Sequence, residues 1–267
     1  MATQQQSTNE ETAEGTILRT DKLVKQYGNF TAIDNVSISV KEGEFRSVIG
    51  PNGAGKTTLF NCITGATPIT DGAVYFSGDN ITGLPPEKRV LQGMGRSFQI
   101  TNIFGGLNVR ENIRLAAQSI NREEYNLVES FLKPVDTYDV INKRTEAVLK
   151  QIGLQHAADE TAEALSYGGK RRLEIGMVLA TDPEVVLFDE PAAGMSVEET
   201  QDTIDLINDV LTDQTLLLIE HDVDLVMELS DRITVLNRGK VLAEGTPKEI
   251  SKNQEVQEAY LGGSLNE

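Results

Sequence analysis

A glycine-rich segment near residue 50 constrains this chain more than any other feature. Residues 50–57 fit the spacing G-x-x-x-x-G-K-[ST]. Apolar residues within 44–49 predict a strand directly before the segment, and apolar residues four apart within 56–64 predict a helix directly after it. Glycines leave backbone N–H groups free to surround phosphate oxygens, and a helix N-terminus favours negative charge. The segment therefore predicts a phosphate-binding loop.

This loop predicts a nucleotide site that uses a metal ion. We expect Lys56 to neutralise the β- and γ-phosphates of ATP and Thr57 to offer its hydroxyl to Mg²⁺. The expected nucleotide-binding residues of the segment are Gly50, Pro51, Asn52, Gly53, Ala54, Gly55, Lys56, Thr57 and Thr58.

Two carboxylates follow an apolar stretch much later in the chain. Residues 185–188 are apolar and precede Asp189 and Glu190. A parallel strand would present this pair at its carboxyl end, where α/β proteins bind ligands. We predict that Asp189 binds Mg²⁺ through a water and that Glu190 polarises the attacking water. Because adjacent strand residues point to opposite sides, we expect one carboxylate to face the metal and the other the γ-phosphate.

The order of the predicted elements indicates an α/β fold. Short alternating runs predict strands over 17–40 and 73–76, and strands alternate with helices from 185 to 243. Capping boxes predict helix starts at Ser196 and Thr246. Such alternation favours a mostly parallel sheet with helices on both faces, joined here by an antiparallel β subdomain. Strand patterns give way to helical spacing between 102 and about 163, which indicates an inserted helical subdomain.

These changes of pattern divide the chain. We expect a disordered tail at 1–16, a first part of the nucleotide-binding core at 17–101 and a helical subdomain at 102–172. A second part of the core follows at 173–245, and a C-terminal helical tail occupies 246–267.

Charge and composition exclude several classes of function. The chain has 41 acidic and 24 basic residues, a net charge of −17. Such a surface repels nucleic acid and anionic lipid head groups, so we expect no nucleic-acid partner. Two interpretations of the acidity stay open: an ordinary acidic protein, or adaptation to high salt. No apolar run has the roughly 18 residues of a membrane span, and the N-terminus lacks the apolar core of a signal peptide. Cys62 is the single cysteine, so the chain cannot form an internal disulfide.

A third motif carries a family resemblance. Residues 165–169 read Leu-Ser-Tyr-Gly-Gly and resemble the L-S-G-G-Q signature motif of ATP-binding-cassette (ABC) ATPases. Tyr167 stands where the first glycine is usual, and Gly169 where glutamine is usual. The resemblance implies the P-loop NTPase fold of ABC ATPases. It also implies that Ser166 and Gly168 contact the γ-phosphate held by an opposite subunit, so that two subunits share each ATP.

The resemblance assigns further residues. Gln99 matches a glutamine that senses Mg²⁺ and links the site to a membrane partner, and His221 matches a histidine that contacts the γ-phosphate. Together with Glu190 they form the implied catalytic set. Tyr27 matches the aromatic residue that stacks on adenine. The implied metal-binding residues are Thr57, Gln99 and Asp189.

Finer details resemble one branch of importers. The resemblance is to the ATP-binding subunits of branched-chain amino-acid importers and of closely similar urea/amide importers. The segments that carry it are 167–168, 171–175, 189–195, 219–222, 244–247 and 259–262. The implied partners are a second ABC ATPase subunit (a sister subunit or a copy of the chain), membrane permease subunits and, indirectly, a solute-binding protein. The implied location is peripheral, at the cytoplasmic face of the cell membrane. We expect residues 100–106, with apolar anchors that include Ile103 and Phe104, and the helical subdomain to receive a cytoplasmic helix of the permease.

Other interpretations of the same motifs stay open. One is a soluble ABC ATPase that acts on DNA or ribosomes, and another is a regulatory cassette that binds ATP without hydrolysing it. A lipid or lipopolysaccharide exporter subunit is the third.

Overall fold

The computed structural model describes residues 15–97, 103–120, 139–211 and 214–263. The chain forms two compact units. Within the described residues, the first unit holds the chain up to residue 89 together with 187–190 and everything from 214 onward, and the second unit holds 90–186 and 191–211.

One sheet of the first unit is antiparallel. Its strands are β1 (Thr16–Tyr27), β2 (Phe30–Val36), β3 (Ser39–Lys41), β5 (Asp71–Phe76) and β6 (Asp79–Asn80). The order is β2-β1-β5-β6, and β3 pairs with another stretch of β1. Val36, Ile38 and Val40 are buried, as expected for alternating strands with one face on a core.

The second sheet of this unit carries parallel strands. They are β4 (Phe45–Ile49), β8 (Val185–Asp189), β9 (Thr215–Ile219), β10 (Arg232–Asn237) and β11 (Lys240–Gly245). The order is β11-β10-β4-β9-β8, with β4 parallel to β9 and β10, and β11 antiparallel to β10. Every residue of β8 and β9 is buried, which is why both strands consist almost entirely of apolar residues.

Within the described residues, five α-helices begin in the first unit. They are α1 (Lys56–Ile63), α2 (Pro86–Leu91), α7 (Val223–Leu229), α8 (Pro247–Ile250) and α9 (Gln254–Gly263). Helix α1 is followed by Thr64 and then by Gly65, whose φ is +78°. Its last carbonyls, those of Cys62 and Ile63, accept hydrogen bonds from the buried guanidinium of Arg89. A cation at this end complements the negative end of the helix dipole.

The second unit is mainly helical. Its helices are α3 (Val109–Ile120), α4 (Asp139–Gln151), α5 (Tyr167–Ala180) and α6 (Val197–Val210), and a short strand β7 (Met94–Arg96) accompanies them. Helices α3, α4 and α5 pack on one another, and α5 also packs on α6. Gly176 permits close packing, since a Cβ there would lie 2.6 Å from Ile152 Cδ1.

The predicted fold class is confirmed: α/β with a largely parallel sheet, an antiparallel β subdomain and a helical insertion. Of the tail predicted at 1–16, residues 1–14 lie outside the described residues. Both predicted capping boxes are present, at Ser196 with Glu199 and at Thr246 with Glu249. Strand β7 was not predicted, because three residues with a central glycine carry no periodic pattern. Among the described residues, no helix has the length and apolar character needed to cross a bilayer.

Candidate functional site

The glycine-rich loop has a backbone that other residues cannot adopt easily. It connects β4 to α1, and Gly53 and Gly55 have φ of +77° and +105°. A Cβ at Gly50 would lie 2.2 Å from the carbonyl oxygen of Leu236, and one at Gly55 would lie 2.7 Å from that of Ala32. Glycine at positions 50 and 55 therefore lets the loop fit closely against its own unit.

Lys56 is the cation of this loop. Its side chain is buried, with the residue only 8% exposed. The ammonium donates to the carbonyl oxygen of Gly50 at 2.7 Å and to that of Pro51 at 3.4 Å. Burial lowers the pKa of Lys56, while the negative charges of Glu190 and Asp189 oppose that shift. The loop thus presents a cation next to two carboxylates, an arrangement suited to phosphate and a metal ion together.

The acidic pair lies at the carboxyl end of β8, as predicted, but its two residues have different backbones. Asp189 is the last residue of the strand and is 1% exposed. Glu190 has left the strand: its φ is +49° and its N–H donates to the carbonyl oxygen of Ile219 at 2.9 Å. Because Glu190 lies outside the strand, the alternation of strand residues does not determine which way its carboxylate points. Unusual φ values of this kind concentrate at functional sites.

His221 lies beside Glu190. Its Nδ1 is 4.0 Å from Glu190 Oε1 and 3.7 Å from Glu220 Oε2. Glu220 is buried, and its carboxylate accepts a hydrogen bond from the backbone N–H of His221 at 3.1 Å. Glu220 was missed in the sequence, although an acidic residue directly after the apolar strand β9 was a usable signal. Glu220 fixes the backbone from which the imidazole projects.

A cleft of about 290 Å³ lies over the phosphate loop. Its lining residues are Phe30, Ala32, Asn52, Gly53, Ala54, Gly55, Lys56, Thr57, Thr58 and Glu190. The sequence did not single out Phe30 or Ala32. Phe30 is the cross-strand partner of Tyr27 in the β1–β2 hairpin, and such partners lie on the same face. Tyr27 does not line the cleft; it is half-exposed, and the ammonium of Lys25 lies 4.7 Å from its ring centroid.

The available donors fit a magnesium ion. Thr57 offers a hydroxyl at the cleft, and Asp189 offers a carboxylate at the end of β8. Mg²⁺ prefers hard oxygen ligands and is usually held by one or two protein groups together with phosphate oxygens and waters. Gln99, the third predicted ligand, lies outside the described residues.

The signature segment begins helix α5 in the second unit. Ser166 is the N-cap, and its Oγ accepts a hydrogen bond from the Gly169 N–H at 3.2 Å. A Cβ at Gly168 would meet no described atom within 4 Å. Tyr167 is 52% exposed, and its hydroxyl donates to the carbonyl oxygen of Ala193 at 3.2 Å. The N-terminus of α5 is therefore accessible to an anion.

Comparison with known families identifies the protein family in which these motifs occur together. Residues 33–193 match the family model described as ABC transporter. The chain belongs to the ABC transporter family. This ABC chain is an ATP-binding cassette and an ATPase, as the signature segment predicted. Residues 240–265 also match the model described as branched-chain amino acid ATP-binding cassette transporter.

Individual relatives of this ABC cassette cover almost its whole length. It is 40% identical over 254 residues to the high-affinity branched-chain amino acid transport ATP-binding protein LivG of Salmonella typhimurium, covering 92% of this chain and 98% of the relative. Among solved structures, it resembles the ADP conformation of MJ1267, an ATP-binding cassette of an ABC transporter, with a TM-score of 0.78 and 34% identity over 92% of this chain and 99% of that one. It also resembles a dimeric post-hydrolysis structure of the cassette MJ0796 bound to ADP and Pi, with a TM-score of 0.70 and 25% identity over 86% and 99% of the two chains.

Proposed function

We propose that this ABC chain is the ATP-hydrolysing subunit of an importer for branched-chain amino acids. It binds Mg·ATP between two ABC subunits and drives a membrane permease from the cytoplasmic face of the membrane. The observation that carries the proposal is that Lys56 and Glu190 line one cleft over the phosphate loop, with His221 Nδ1 4.0 Å from Glu190 Oε1. The match of residues 240–265 to a branched-chain amino acid transporter model supports the substrate class.

The phosphate loop performs the binding step. Backbone N–H groups of residues 52–57 surround the phosphates, and the Lys56 ammonium exchanges its loop carbonyls for the β- and γ-phosphate oxygens. Thr57 and Asp189, with the predicted ligand Gln99, would hold Mg²⁺, which would neutralise charge on the phosphates. Tyr27 and Phe30 lie on the same hairpin face and supply aromatic surface for the adenine.

Glu190 and His221 perform the hydrolytic step. The backbone bond to Ile219 holds Glu190 with its carboxylate in the cleft, where it orients and polarises the attacking water. His221, fixed by Glu220, donates to the γ-phosphate as negative charge develops.

A second subunit completes each site. Ser166 and Gly168 present a hydroxyl and a free N–H at the start of α5, and these contact the γ-phosphate bound by the opposite subunit. The dimeric state of the solved cassette with ADP and Pi supports this arrangement. The second subunit is a sister ABC subunit or a copy of the chain.

The permease contacts the second unit. The backbone of Phe104 is fixed by Asn112, whose Oδ1 accepts from the Phe104 N–H at 2.7 Å and whose Nδ2 donates to the Phe104 carbonyl at 3.1 Å. The Phe104 ring is 54% exposed and borders a largely apolar cavity of about 260 Å³. Ile103→Ser and Phe104→Ser are expected to abolish transport while ATP hydrolysis by the cassette alone persists. Transport at the wild-type rate in both variants contradicts this docking surface.

The substrate class is tested in cells. Deleting the gene for this chain from its host is expected to abolish uptake of labelled leucine, isoleucine and valine. Expressing the wild-type chain should restore uptake, and expressing Glu190→Gln should not. Lys240→Ala, which removes a surface ion pair with Asp34, is the control that restores uptake. Loss of urea uptake with normal leucine uptake would assign the chain to a urea/amide importer. Normal uptake of all four, with a defect in lipid export or none at all, would refute import altogether.

A further inference from the structure

One hydrogen bond links the signature helix to the loop after the acidic pair. The Tyr167 hydroxyl donates to the carbonyl oxygen of Ala193 at 3.2 Å. Tyr167 is the first residue of α5, directly after Ser166. Ala193 lies in the loop 191–196, which begins at the residue after Glu190 and ends at the start of α6. The bond therefore joins the signature helix, which directly follows Ser166, to the loop that directly follows Glu190.

The same loop is fixed to α6 at its other end. The Ser196 N–H donates to Glu199 Oε2 at 3.0 Å, and the Glu199 N–H donates to Ser196 Oγ at 3.3 Å. The Thr203 hydroxyl lies 3.4 Å from Met195 Sδ. These contacts hold residues 195 and 196, whereas Tyr167 holds the loop at its middle, next to Gly194 with its φ of +77°. Between these two attachments the Met195 N–H donates to the carbonyl oxygen of Ala192 at 3.2 Å, so the loop is a connected turn. Loss of the Tyr167 bond would remove its attachment to α5.

The residue type itself needs an explanation. The L-S-G-G-Q motif has glycine at this place, and glycine has no side chain with which to reach Ala193. Packing within the chain does not account for an aromatic residue here, since the Tyr167 side chain is half-exposed. The hydroxyl, which ends on a backbone carbonyl, is the part of the side chain with a defined partner.

We infer that Tyr167 is a positioning residue that couples the two nucleotide sites of the dimer. This rests on the proposed function, in which Ser166 contacts the partner's nucleotide and Glu190 acts on the chain's own. When Ser166 engages the partner's γ-phosphate, α5 is held in place, and the Tyr167 hydroxyl holds the loop 191–196 with it. The backbone that leads to Glu190 is then constrained, so that nucleotide at one site favours hydrolysis at the other.

Tyr167→Phe keeps the ring and removes only the donor, and Tyr167→Gly restores the usual residue of the motif. Both are compared with wild type in the assembled transporter by kcat, by the Hill coefficient for ATP, and by the Kd of the chain for nucleotide. Tyr75→Phe removes a hydroxyl from a tyrosine of β5, whose ring lies under Arg19, and is the matched control. For Tyr167→Phe we expect an unchanged Kd and melting temperature, and for Tyr167→Gly an unchanged Kd with a lower melting temperature, because glycine is a poorer helix former. Both variants should lower kcat by about three- to tenfold and bring the Hill coefficient down to about 1.

The outcomes separate this inference from the proposed function. Absence of ATP turnover in the wild-type transporter would refute the proposed function and the coupling with it. Wild-type turnover with a Hill coefficient above about 1 that Tyr167→Phe leaves unchanged would overturn the coupling alone. A wild-type Hill coefficient of about 1, or equal losses of kcat in Tyr167→Phe and Tyr75→Phe, would overturn it as well.

Discussion

The phosphate loop and the signature segment are both glycine-containing segments that start a helix, yet they are built differently. The phosphate loop is closed against its own unit: Lys56 is buried, and a Cβ at Gly50 would lie 2.2 Å from a backbone oxygen. The signature segment is open, with Ser166 exposed and no described atom within 4 Å of a Cβ at Gly168. The first segment requires glycine because of its own fold. Gly168 in the second segment is not required in this way, so the open side of that segment is suited to a ligand or chain that approaches from outside.

The largest expected effect comes from removing Lys56, the cation of the phosphate loop. Lys56→Ala should lower ATP turnover by about 10³-fold or more, because the γ-phosphate loses its main positive partner in a buried site. Steady-state phosphate release measures this, with Lys240→Ala as the control that keeps wild-type turnover. A Lys56→Ala chain that hydrolyses ATP within tenfold of wild type would show that the buried ammonium is not needed.

The glycines of the two segments should respond in opposite ways. Gly50→Ala places a Cβ against the Leu236 carbonyl and should lower the free energy of unfolding by about 3 kcal/mol. Gly168→Ala lies in a helix with open space beside it and should raise that free energy by up to about 1 kcal/mol. The proposed function puts this methyl group against the partner's nucleotide, so turnover should still fall. Urea unfolding and turnover are measured on both. Equal destabilisation by the two changes would remove the distinction between the segments.

Ser166, the N-cap of the signature helix, should matter more for ATP turnover than for stability. Ser166→Ala removes an N-cap, at a cost of about 1 kcal/mol in stability, and also removes a hydroxyl donor to phosphate. We expect turnover to fall by roughly 10- to 100-fold with nucleotide affinity of the single chain unchanged. Thr246→Ala removes the matching cap of α8 and should cost similar stability without loss of turnover. If both variants lose turnover equally, Ser166 acts only as a cap.

Charge should have the smallest effect. The surplus of acidic residues behind the net charge of −17 makes the surface charges repel one another. Salt weakens this repulsion, because the screening length falls from about 10 Å at 0.1 M to about 3 Å at 1 M ionic strength. If the acidity is an adaptation to high salt, the melting temperature should rise between low and molar KCl, by roughly 2–4 °C for each 1 kcal/mol of repulsion relieved. A melting temperature that stays constant or falls would leave the acidity as an ordinary property of the surface.

The phosphate loop could be predicted from sequence almost residue by residue, because its glycine spacing, the strand before it and the helix after it all depend on residues close together in the chain. The strand and helix before and after the acidic pair followed in the same way from apolar runs and capping boxes. The turn at Glu190 could not be predicted, because it depends on a hydrogen bond to Ile219, a residue 29 positions away in the chain. The cleft contacts of Phe30 and the bond from Tyr167 to Ala193 depend in the same way on residues that only the fold brings together.

The central claim is that Glu190 acts at a site shared by two subunits. The most direct measurement is ATP turnover by wild type and Glu190→Gln in molar KCl, with size-exclusion chromatography before and after Mg·ATP, for the chain alone and with its partner subunits. We predict that Glu190→Gln lowers turnover by about 10²- to 10⁴-fold while ATP locks it in a dimer. Glu190→Gln that turns over ATP like wild type, or that shows no ATP-dependent association with itself or its partners, would contradict the shared site.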